Sequence, residues 1–250
     1  MIPRLGVNID HVATLRQQRD EGYPNVQLAA DASLKAGADQ ITIHLREDRR
    51  HIQDADVPAV FEMTQKYGKP LNLEMGSSDE IADIAISIKP EWICLVPEKR
   101  EEKTTEGGLD LLSAEGYSRI EKMMAKLRAG IEGVKISLFV EANDEVMRRS
   151  IELGADAVEI HTGHYATDFL KGVDIQHYLE SFKSSYEVVK DTPVGYHAGH
   201  GLTLESVIPL LELKVFKEYN IGHWIVAQSV FEGLDSVIKK FLSKFEEYSL

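Results

Sequence analysis

Short β-branched segments alternate with longer helix-like segments along the whole of this chain. The predicted strands are residues 5–10, 40–44, 71–75, 92–96, 135–140, 157–161, 194–197 and 221–227. Strand–helix alternation gives right-handed crossovers and a parallel sheet, which is an α/β fold. Eight such units in 250 residues predict a (β/α)8 TIM barrel with extra helices. We expect this barrel to form a single domain over residues 1–250. An open doubly wound sheet is the alternative, but no Gly-x-Gly-x-x-Gly motif follows the first strand, which argues against a dinucleotide-binding version.

The segments between the strands carry apolar residues at helical spacing. Residues 81–88 place isoleucine and alanine at i, i+3, i+4 and i+7, and a similar stripe runs through residues 230–245 in the predicted last helix. Two other helices end in the same Gly-Ala-Asp sequence, at residues 37–39 and 154–156, directly before a strand. Because glycine supplies a left-handed helix cap, this sequence predicts a recurring helix-to-strand loop.

Composition argues against several classes of protein. The chain carries 28 Lys and Arg residues against 41 Asp and Glu residues, a formal net charge of −13, whereas a general nucleic-acid binder needs a basic face. No apolar run reaches the ~18–20 residues of a membrane span, so no membrane partner is expected. A single cysteine, Cys94, rules out an internal disulfide framework and a cysteine-only zinc site. We therefore expect a cytoplasmic protein.

Histidines concentrate near the carboxyl ends of the predicted strands. Of the nine histidines, only His51 and His177 lie further from a strand. In a parallel barrel those ends converge on one mouth, where the active sites of this fold lie. His44, Glu74 and His200 come from the second, third and seventh strands. Histidine exchanges protons near neutral pH, and burial raises the pKa of a glutamate so that it can act as a base; the three residues therefore suit several proton transfers on one small molecule.

Glycine-rich turns after the last two strands indicate phosphate binding. Residues 198–203, AGHGLT, contain glycines that let backbone N–H groups approach a ligand, and Thr203 is placed to cap the next helix. Residues 220–223, NIGH, repeat this arrangement, and these two loops form the usual phosphate site of the fold. Three arginines within residues 46–50 follow the second strand, and the planar guanidinium suits phosphate or carboxylate.

The charged segment 97–110 follows the fourth strand and contains two adjacent glycines near its end. Because it starts at the catalytic edge and carries Thr104 and Thr105, we predict a lid that closes over the mouth of the barrel and excludes water. A solvated surface loop is the alternative.

Eight motifs, in chain order, resemble those of the pyridoxine 5′-phosphate synthase family. They are GVNIDH (6–11), HLREDRRH (44–51), NLEM (72–75), LVPEKR (95–100), TTEGGLD (104–110), EIHTG (159–163), AGHGL (198–202) and NIGH (220–223). The resemblance spans nearly the whole chain. It implies a (β/α)8 barrel that condenses 3-amino-2-oxopropyl phosphate with 1-deoxy-D-xylulose 5-phosphate to form pyridoxine 5′-phosphate, phosphate and water in vitamin B6 biosynthesis. It also implies that no metal or organic cofactor is used and that the chain assembles as a homo-octamer.

The same resemblance assigns roles to individual residues. His44 and Glu74 match the family's proton acceptors, and His200 matches its proton donor. The positions that match contacts to 1-deoxy-D-xylulose 5-phosphate are Asp10, His11, Arg46, His51 and Thr104. Those that match contacts to 3-amino-2-oxopropyl phosphate are Asn8, Arg19, Gly201, Gly222 and His223. In the family the Arg19 position reaches a neighbouring subunit's site, so oligomerisation is expected to be part of the mechanism. One departure is His197, where the family often has asparagine.

Two other functions remain open from the residues alone. The first is a metal-dependent barrel hydrolase or aldolase that would take its ligands from His11, His44, His161, His200 and His223. Against it, the chain contains neither a His-x-His pair nor a His-Glu-x-x-His motif. The second is a barrel that binds a metabolite without transforming it, which the full set of proton-transfer residues argues against.

Overall fold

The strand–helix alternation closes into a barrel in the computed structural model, which describes residues 2–19, 21–98 and 107–249. The strands in these residues are β1 Arg4–Asn8, β2 Gln40–His44, β3 Leu71–Met75, β4 Trp92–Leu95, β5 Lys135–Val140, β6 Ala157–His161, β7 Gly195–Gly199 and β8 Glu218–Ile221. Each strand pairs in parallel with the next one in the chain, and β8 pairs with β1. The predicted (β/α)8 barrel is confirmed.

Helices surround the barrel and bury the outer faces of its strands. They are α1 Asp10–Gln17, α2 Val26–Ala36, α3 Asp56–Tyr67, α4 Asp79–Ile88, α5 Ala114–Gly130, α6 Asp144–Glu152, α7 Gly163–Leu170, α8 Gln176–Val189, α9 Val207–Leu213, α10 His223–Glu232 and α11 Leu234–Glu247. Fully buried strand residues such as Ile41 and Leu73 belong to the same core as Val60 of α3 and Ile81 of α4. Among the helices of the described residues, none has the length and apolar character needed to cross a membrane.

The prediction for the last strand is wrong. The strand is Glu218–Ile221 rather than 221–227, because the residues after Gly222 form helix α10. The strand was not recognised from the sequence because Glu218 and Asn220 interrupt its apolar pattern. Both side chains are buried, and the barrel has a polar interior that accepts them.

The predicted last helix is in fact two helices. The helical conformation is interrupted at Gly233, whose φ of 82° lies in the left-handed region. Helix α10 therefore ends at Glu232, and α11 begins at Leu234. Val230, which the pattern placed on the buried stripe, is 71% exposed.

Polar side chains cross the inside of the barrel from one strand to another. Gln40 on β2 donates from Nε2 to Oε1 of Glu218 on β8 at 3.0 Å, and Asn220 on β8 donates from Nδ2 to Oε2 of Glu159 on β6 at 2.7 Å. Strand β1 lies between β2 and β8, and its Gly6 leaves the space that these side chains fill. A Cβ at Gly6 would collide with Oδ1 of Asn220.

Carboxylates hold the amino ends of three strands. In each case the acidic residue stands directly before one strand and accepts a backbone N–H from the start of the strand that precedes it in the chain. The bonds are Leu5 N to Asp39 Oδ2 at 3.1 Å, Leu71 N to Glu91 Oε2 at 3.0 Å and Ile136 N to Asp156 Oδ2 at 2.9 Å. Asp39 and Asp156 belong to the two Gly-Ala-Asp sequences, which form the predicted helix-to-strand loop with positive φ angles at Gly37 and Gly154.

Candidate active site

A cavity of about 670 Å³ opens at the carboxyl ends of the strands. The sequence-predicted residues on its wall are Asn8, Asp10, His11, His44, Arg46, His51, Glu74, His200, Gly201, Gly222 and His223. Arg19 follows the end of α1, is exposed, and does not line the cavity. Thr104 lies outside the described residues, as does most of the predicted lid. The structure therefore brings most of the predicted site together, while the roles of these residues remain predictions.

The Asp10 side chain holds the backbone of His44 at the end of β2. The His44 backbone N–H donates to Oδ1 of Asp10 at 2.8 Å, and the Asn8 side chain donates to Oδ2 of Asp10 at 2.9 Å. The Nδ1 atom of the His44 ring lies 3.8 Å from Oε2 of Glu74 on β3. The two predicted proton acceptors are therefore neighbours, since β2 and β3 pair directly and His44 is in register with Glu74.

Glu74 is held in an environment that favours its protonated form. Burial raises the pKa of its carboxyl well above the ordinary value, the charges of Glu159 and Asp10 raise it further, and Arg46 opposes them. A carboxyl whose pKa is raised can release and recover a proton closer to neutral pH than an exposed glutamate can. This is the behaviour that a residue serving several proton transfers requires.

His200 occupies a strained turn directly after β7. Its φ is 78°, and the following Gly201 has the same φ, so two successive residues adopt the left-handed conformation that glycine tolerates best. The Thr162 hydroxyl fixes this turn, because it lies 2.7 Å from the Gly199 carbonyl oxygen and 2.8 Å from that of His200. A non-glycine residue held in this region indicates a constraint from the surrounding structure.

The helix after this turn is capped differently from the prediction. Thr203 does not stand at the N-cap, which is Ser206. The two residues instead exchange hydrogen bonds: the Thr203 backbone N–H donates to the Ser206 hydroxyl at 2.8 Å, and the Ser206 N–H donates to the Thr203 hydroxyl at 3.1 Å. The turn that carries His200 is thereby anchored on its far side.

His200 is neutral over most of the pH range. Desolvation by the cavity wall, followed by the charges of the neighbouring His161, His164 and His223, lowers the pKa of His200 to about 4, although the side chain remains open to solvent. A neutral imidazole is a poor proton donor, so the predicted donor role requires a ligand that stabilises the charged form. A bound phosphate dianion would do so.

Inorganic phosphate is expected to raise the pKa of His200 from about 4 toward neutrality, because the anion offsets desolvation and the neighbouring imidazoles. Titration of the His200 ring signals by NMR, with and without saturating phosphate, measures the shift. His177 on α8 is exposed and serves as the internal control. An unchanged His200 titration in the phosphate-bound protein would count against a phosphate beside this ring.

A second group of histidines lines the part of the cavity next to His200. The ring of His11 lies 4.7 Å from that of His223 and 5.7 Å from that of His51, between centroids. Burial, and then the charges of His223, His51 and His200, lower the pKa of His11 to about 4. The nearby Arg46 has a buried Nε that makes no hydrogen bond among the described residues, with the nearest carboxylate oxygen, Oδ1 of Asp48, 3.8 Å away. This wall therefore offers hydrogen-bond donors to an anion.

Several residues of the cavity were not among the predicted catalytic and substrate-binding residues. On its wall these are Glu159, Asn220, His161, Phe139, Val96, Pro97 and Gly107. Glu159 carried a usable signal, because it is a charged residue flanked by Val158 and Ile160 in the middle of an apolar strand. Glu98, which contacts His44, lies in the LVPEKR motif, but no role was assigned to it because the surrounding charged run looks like a solvated loop.

Glu159 forms part of the floor of the cavity. Burial raises its pKa to about 8, the hydrogen bond from Asn220 opposes the shift, and the charge of Glu218 adds to it. Gly199 on β7 makes room for this carboxyl, because a Cβ there would collide with Oε1 of Glu159. The floor therefore holds a carboxyl that is mostly protonated at neutral pH.

The stability of the protein is expected to depend on pH through Glu159. Because the folded-state pKa of about 8 exceeds the ordinary 4.5, the protonated carboxyl stabilises the fold below about pH 4.5, and this contribution is lost as the pH rises to about 8. Relative to Glu159→Gln, which cannot titrate, the parent protein should lose several degrees of Tm between pH 5 and pH 9, at ~2–4 °C per kcal/mol for a chain of this size. Parallel Tm curves for the two proteins would contradict this account.

Among the described residues, only Asp10, His44 and Glu74 bring three possible metal-ligating atoms within 4.8 Å of one another. Both oxygens of Asp10 already accept hydrogen bonds, from the His44 N–H and the Asn8 amide. Of the five histidines considered as ligands from sequence, only His44 belongs to such a group in the part of the chain that the structure describes.

Comparisons with known proteins identify relatives along nearly the full chain. The family described as "Pyridoxal phosphate biosynthesis protein PdxJ" matches residues 5–247. A pyridoxine 5′-phosphate synthase of Caulobacter sp. (strain K31) is 44% identical over 239 residues, which are 95% of this chain and 94% of the relative. Another from Sulfurihydrogenibium sp. (strain YO3AOP1) is 44% identical over 237 residues, 95% of each chain.

Solved structures of more distant proteins share the architecture. Thiamine phosphate pyrophosphorylase from Pyrococcus furiosus superposes with a TM-score of 0.61 at 12% identity, over 98% of this chain and 96% of its own. A phosphoribosylanthranilate isomerase from Thermotoga maritima gives a TM-score of 0.59 at 13% identity, over 98% and 99%. At these identities the likeness shows the barrel fold alone.

Proposed function

The chain belongs to the family of the pyridoxal phosphate biosynthesis protein PdxJ, and we propose that it is a pyridoxine 5′-phosphate synthase whose reaction takes place in the cavity at the mouth of the barrel. The substrates are 3-amino-2-oxopropyl phosphate and 1-deoxy-D-xylulose 5-phosphate, and the products are pyridoxine 5′-phosphate, inorganic phosphate and water. One observation carries this proposal. Three proton-exchanging side chains, His44, Glu74 and His200, line one cavity together with Arg46 and the two glycine turns, which suit phosphate.

The reaction places definite demands on this cavity. The amine of one substrate attacks the ketone of the other to form a Schiff base with loss of one water. Phosphate then leaves, a carbon–carbon bond closes the ring, and loss of a second water makes the ring aromatic. Glu74, with its raised pKa, delivers and removes protons as the Schiff base forms and dehydrates. His44 removes a carbon-bound proton, and His200 donates to the departing oxygen once a bound phosphate has raised its pKa. Each such group typically contributes ~10²–10⁴-fold to the rate.

Binding of two phosphorylated substrates side by side supplies the remaining catalysis. Holding both in one cavity replaces a bimolecular encounter by an oriented reaction, which is worth several kcal/mol, of the order of 7 or more in the most favourable cases. Arg46, His51 and His11 are assigned to 1-deoxy-D-xylulose 5-phosphate, and Gly201, Gly222 and His223 to the amino ketone. The buried Nε of Arg46, which makes no hydrogen bond within residues 2–19, 21–98 and 107–249, and the backbone of the two glycine turns support this division.

The proposal includes a homo-octamer in the cytoplasm in which subunits share sites. Arg19 is exposed and lies away from the cavity of its own chain, a position that supports a contact with the site of a neighbouring subunit. Thr104 is assigned to the deoxyxylulose substrate on the basis of the motif that contains it. No metal ion or organic cofactor is assigned to the reaction.

Mixing the purified, metal-stripped protein with both substrates tests the function directly. We expect the pyridoxine 5′-phosphate chromophore and free phosphate to appear in equal amounts, and neither to appear when one substrate is omitted. Activity that is lost on chelation and restored by a divalent metal would point to a metal-dependent enzyme. Tight binding of one substrate without any ring product would point to a binding protein.

A further inference from the structure

Glu98 lies three residues beyond the end of β4 and contacts residues at the carboxyl ends of β2 and β3. Its Oε1 atom lies 2.9 Å from Nε2 of His44 and accepts the backbone N–H of Gly76 at 3.1 Å. Its Oε2 atom accepts the backbone N–H of Glu47 at 3.1 Å. The side chain is only 6% exposed. The carboxylate therefore joins the loops that follow β2, β3 and β4.

These contacts determine which form of the carboxyl is present. Burial alone would raise the pKa of Glu98, but the hydrogen bond and charge of His44, with the Glu47 N–H and Arg46, outweigh burial, and the net pKa is lowered. Glu98 is thus an ionised carboxylate, which can only accept hydrogen bonds. A ring nitrogen 2.9 Å from it must be a donor.

The consequence for His44 is a defined tautomer. If Nε2 carries the proton that is donated to Glu98, Nδ1 of the neutral ring carries the lone pair. Nδ1 is the atom that lies 3.8 Å from Oε2 of Glu74, on the wall of the cavity that both residues line. The basic nitrogen then faces the place where substrate binds.

We propose that Glu98 is a positioning residue that holds His44 in the tautomer protonated on Nε2, so that Nδ1 is the atom that accepts a proton from the substrate. This inference rests on the proposed role of His44 as a base. When His44 accepts a proton, the carboxylate also stabilises the resulting imidazolium, as a buried carboxylate behind a catalytic histidine does elsewhere. The two backbone N–H groups hold the carboxylate in place, so it cannot follow the ring if the ring turns.

The chain contains a matched control for a purely structural role. Glu91 precedes β4 and accepts a backbone N–H from Leu71 at 3.0 Å, and it also accepts a hydrogen bond from the side chain of Gln65. It therefore fastens backbone in the same way as Glu98, but at the opposite end of the barrel and without a histidine. Glu91→Gln reports what the loss of such a fastening does by itself.

The first measurement uses the unaltered protein without substrate. In protein labelled with ¹⁵N at histidine, the His44 signals, assigned by their loss in His44→Gln, should show a protonated Nε2 and an unprotonated Nδ1 at a pH where the ring is neutral. A proton on Nδ1 would overturn the proposal. This result requires only that His44→Gln folds well enough for the assignment, and it does not depend on whether the proposed reaction occurs.

The second measurement compares Glu98→Gln with Glu91→Gln. We expect Glu98→Gln to shift His44 toward a mixture of tautomers and to lower kcat by roughly 10–100-fold with KM changed less than threefold, whereas Glu91→Gln should leave both the tautomer and kcat unchanged. Equal effects of the two variants, or an unchanged tautomer in Glu98→Gln, would overturn the proposal. If the parent protein forms no pyridoxine 5′-phosphate while the tautomer still depends on Glu98, only the proposed function fails.

Discussion

Replacing His44 by alanine, Glu74 by glutamine or His200 by alanine is expected to lower kcat by ~10²–10⁴-fold in each case without unfolding the protein. These side chains line a cavity, and none of them belongs to the apolar core. Each substitution removes a group that exchanges a proton with the reacting atoms. Steady-state kinetics with both phosphorylated substrates, together with Tm values, separate loss of catalysis from loss of fold.

The control for this series is His177→Ala. His177 is an exposed histidine on α8 that does not line the cavity, and its removal should leave kcat and Tm unchanged. If all three cavity variants turned over at the parental rate, the assignment of the proton-transfer residues would be refuted. Loss of fold in all three would instead show that these side chains act in stability.

Gly6→Ala is expected to destabilise the protein by about 3 kcal/mol, near the upper end for overpacking a full interior. A methyl group at this position would collide with Oδ1 of Asn220 and come within 3.3 Å of Nε2 of Gln40. Asn220 could then keep its hydrogen bond to Glu159 only if the strands moved apart. At ~2–4 °C per kcal/mol, Tm should fall by roughly 6–12 °C.

Gly22→Ala provides the comparison for this variant. A Cβ at Gly22 meets nothing within 4 Å, so the same change of residue type should alter Tm by less than about 2 °C, the range of ordinary surface substitutions. Thermal and denaturant unfolding of both variants measure the difference. Similar Tm values for Gly6→Ala and the parent protein would show that the barrel interior can absorb the added methyl group.

The packing of strands on helices was predictable because buried apolar residues leave a local pattern in the sequence. Strands such as Gln40–His44 and Leu71–Met75 carry β-branched or apolar residues that pack on helices, and both were predicted with the observed bounds. β8 was misplaced because Glu218 and Asn220, which belong to the polar interior, interrupt the apolar pattern of this strand. Their partners, Gln40 and Glu159, lie far away in the chain.

The site was predictable to the extent that it follows the carboxyl ends of the strands. His44, Glu74 and His200 were found because their strands were recognised, and parallel strands bring such residues to one mouth. Glu98 was missed because its role depends on contacts with His44 and Gly76, which are 54 and 22 positions away. The pKa of about 4 for His200 could not be predicted either, since it results from desolvation in the cavity and from histidines contributed by separate loops.

The carboxylates of Asp39, Glu91 and Asp156 fasten β1, β3 and β5 at the end of the barrel remote from the cavity. Strand alignment is thus secured where no chemistry takes place. As a consequence, the strands can keep the alignment that places His44 beside Glu74 even where the loops at the cavity end change. A barrel built in this way can come to bind other substrates when the loops at the cavity end are exchanged, while its strands stay aligned.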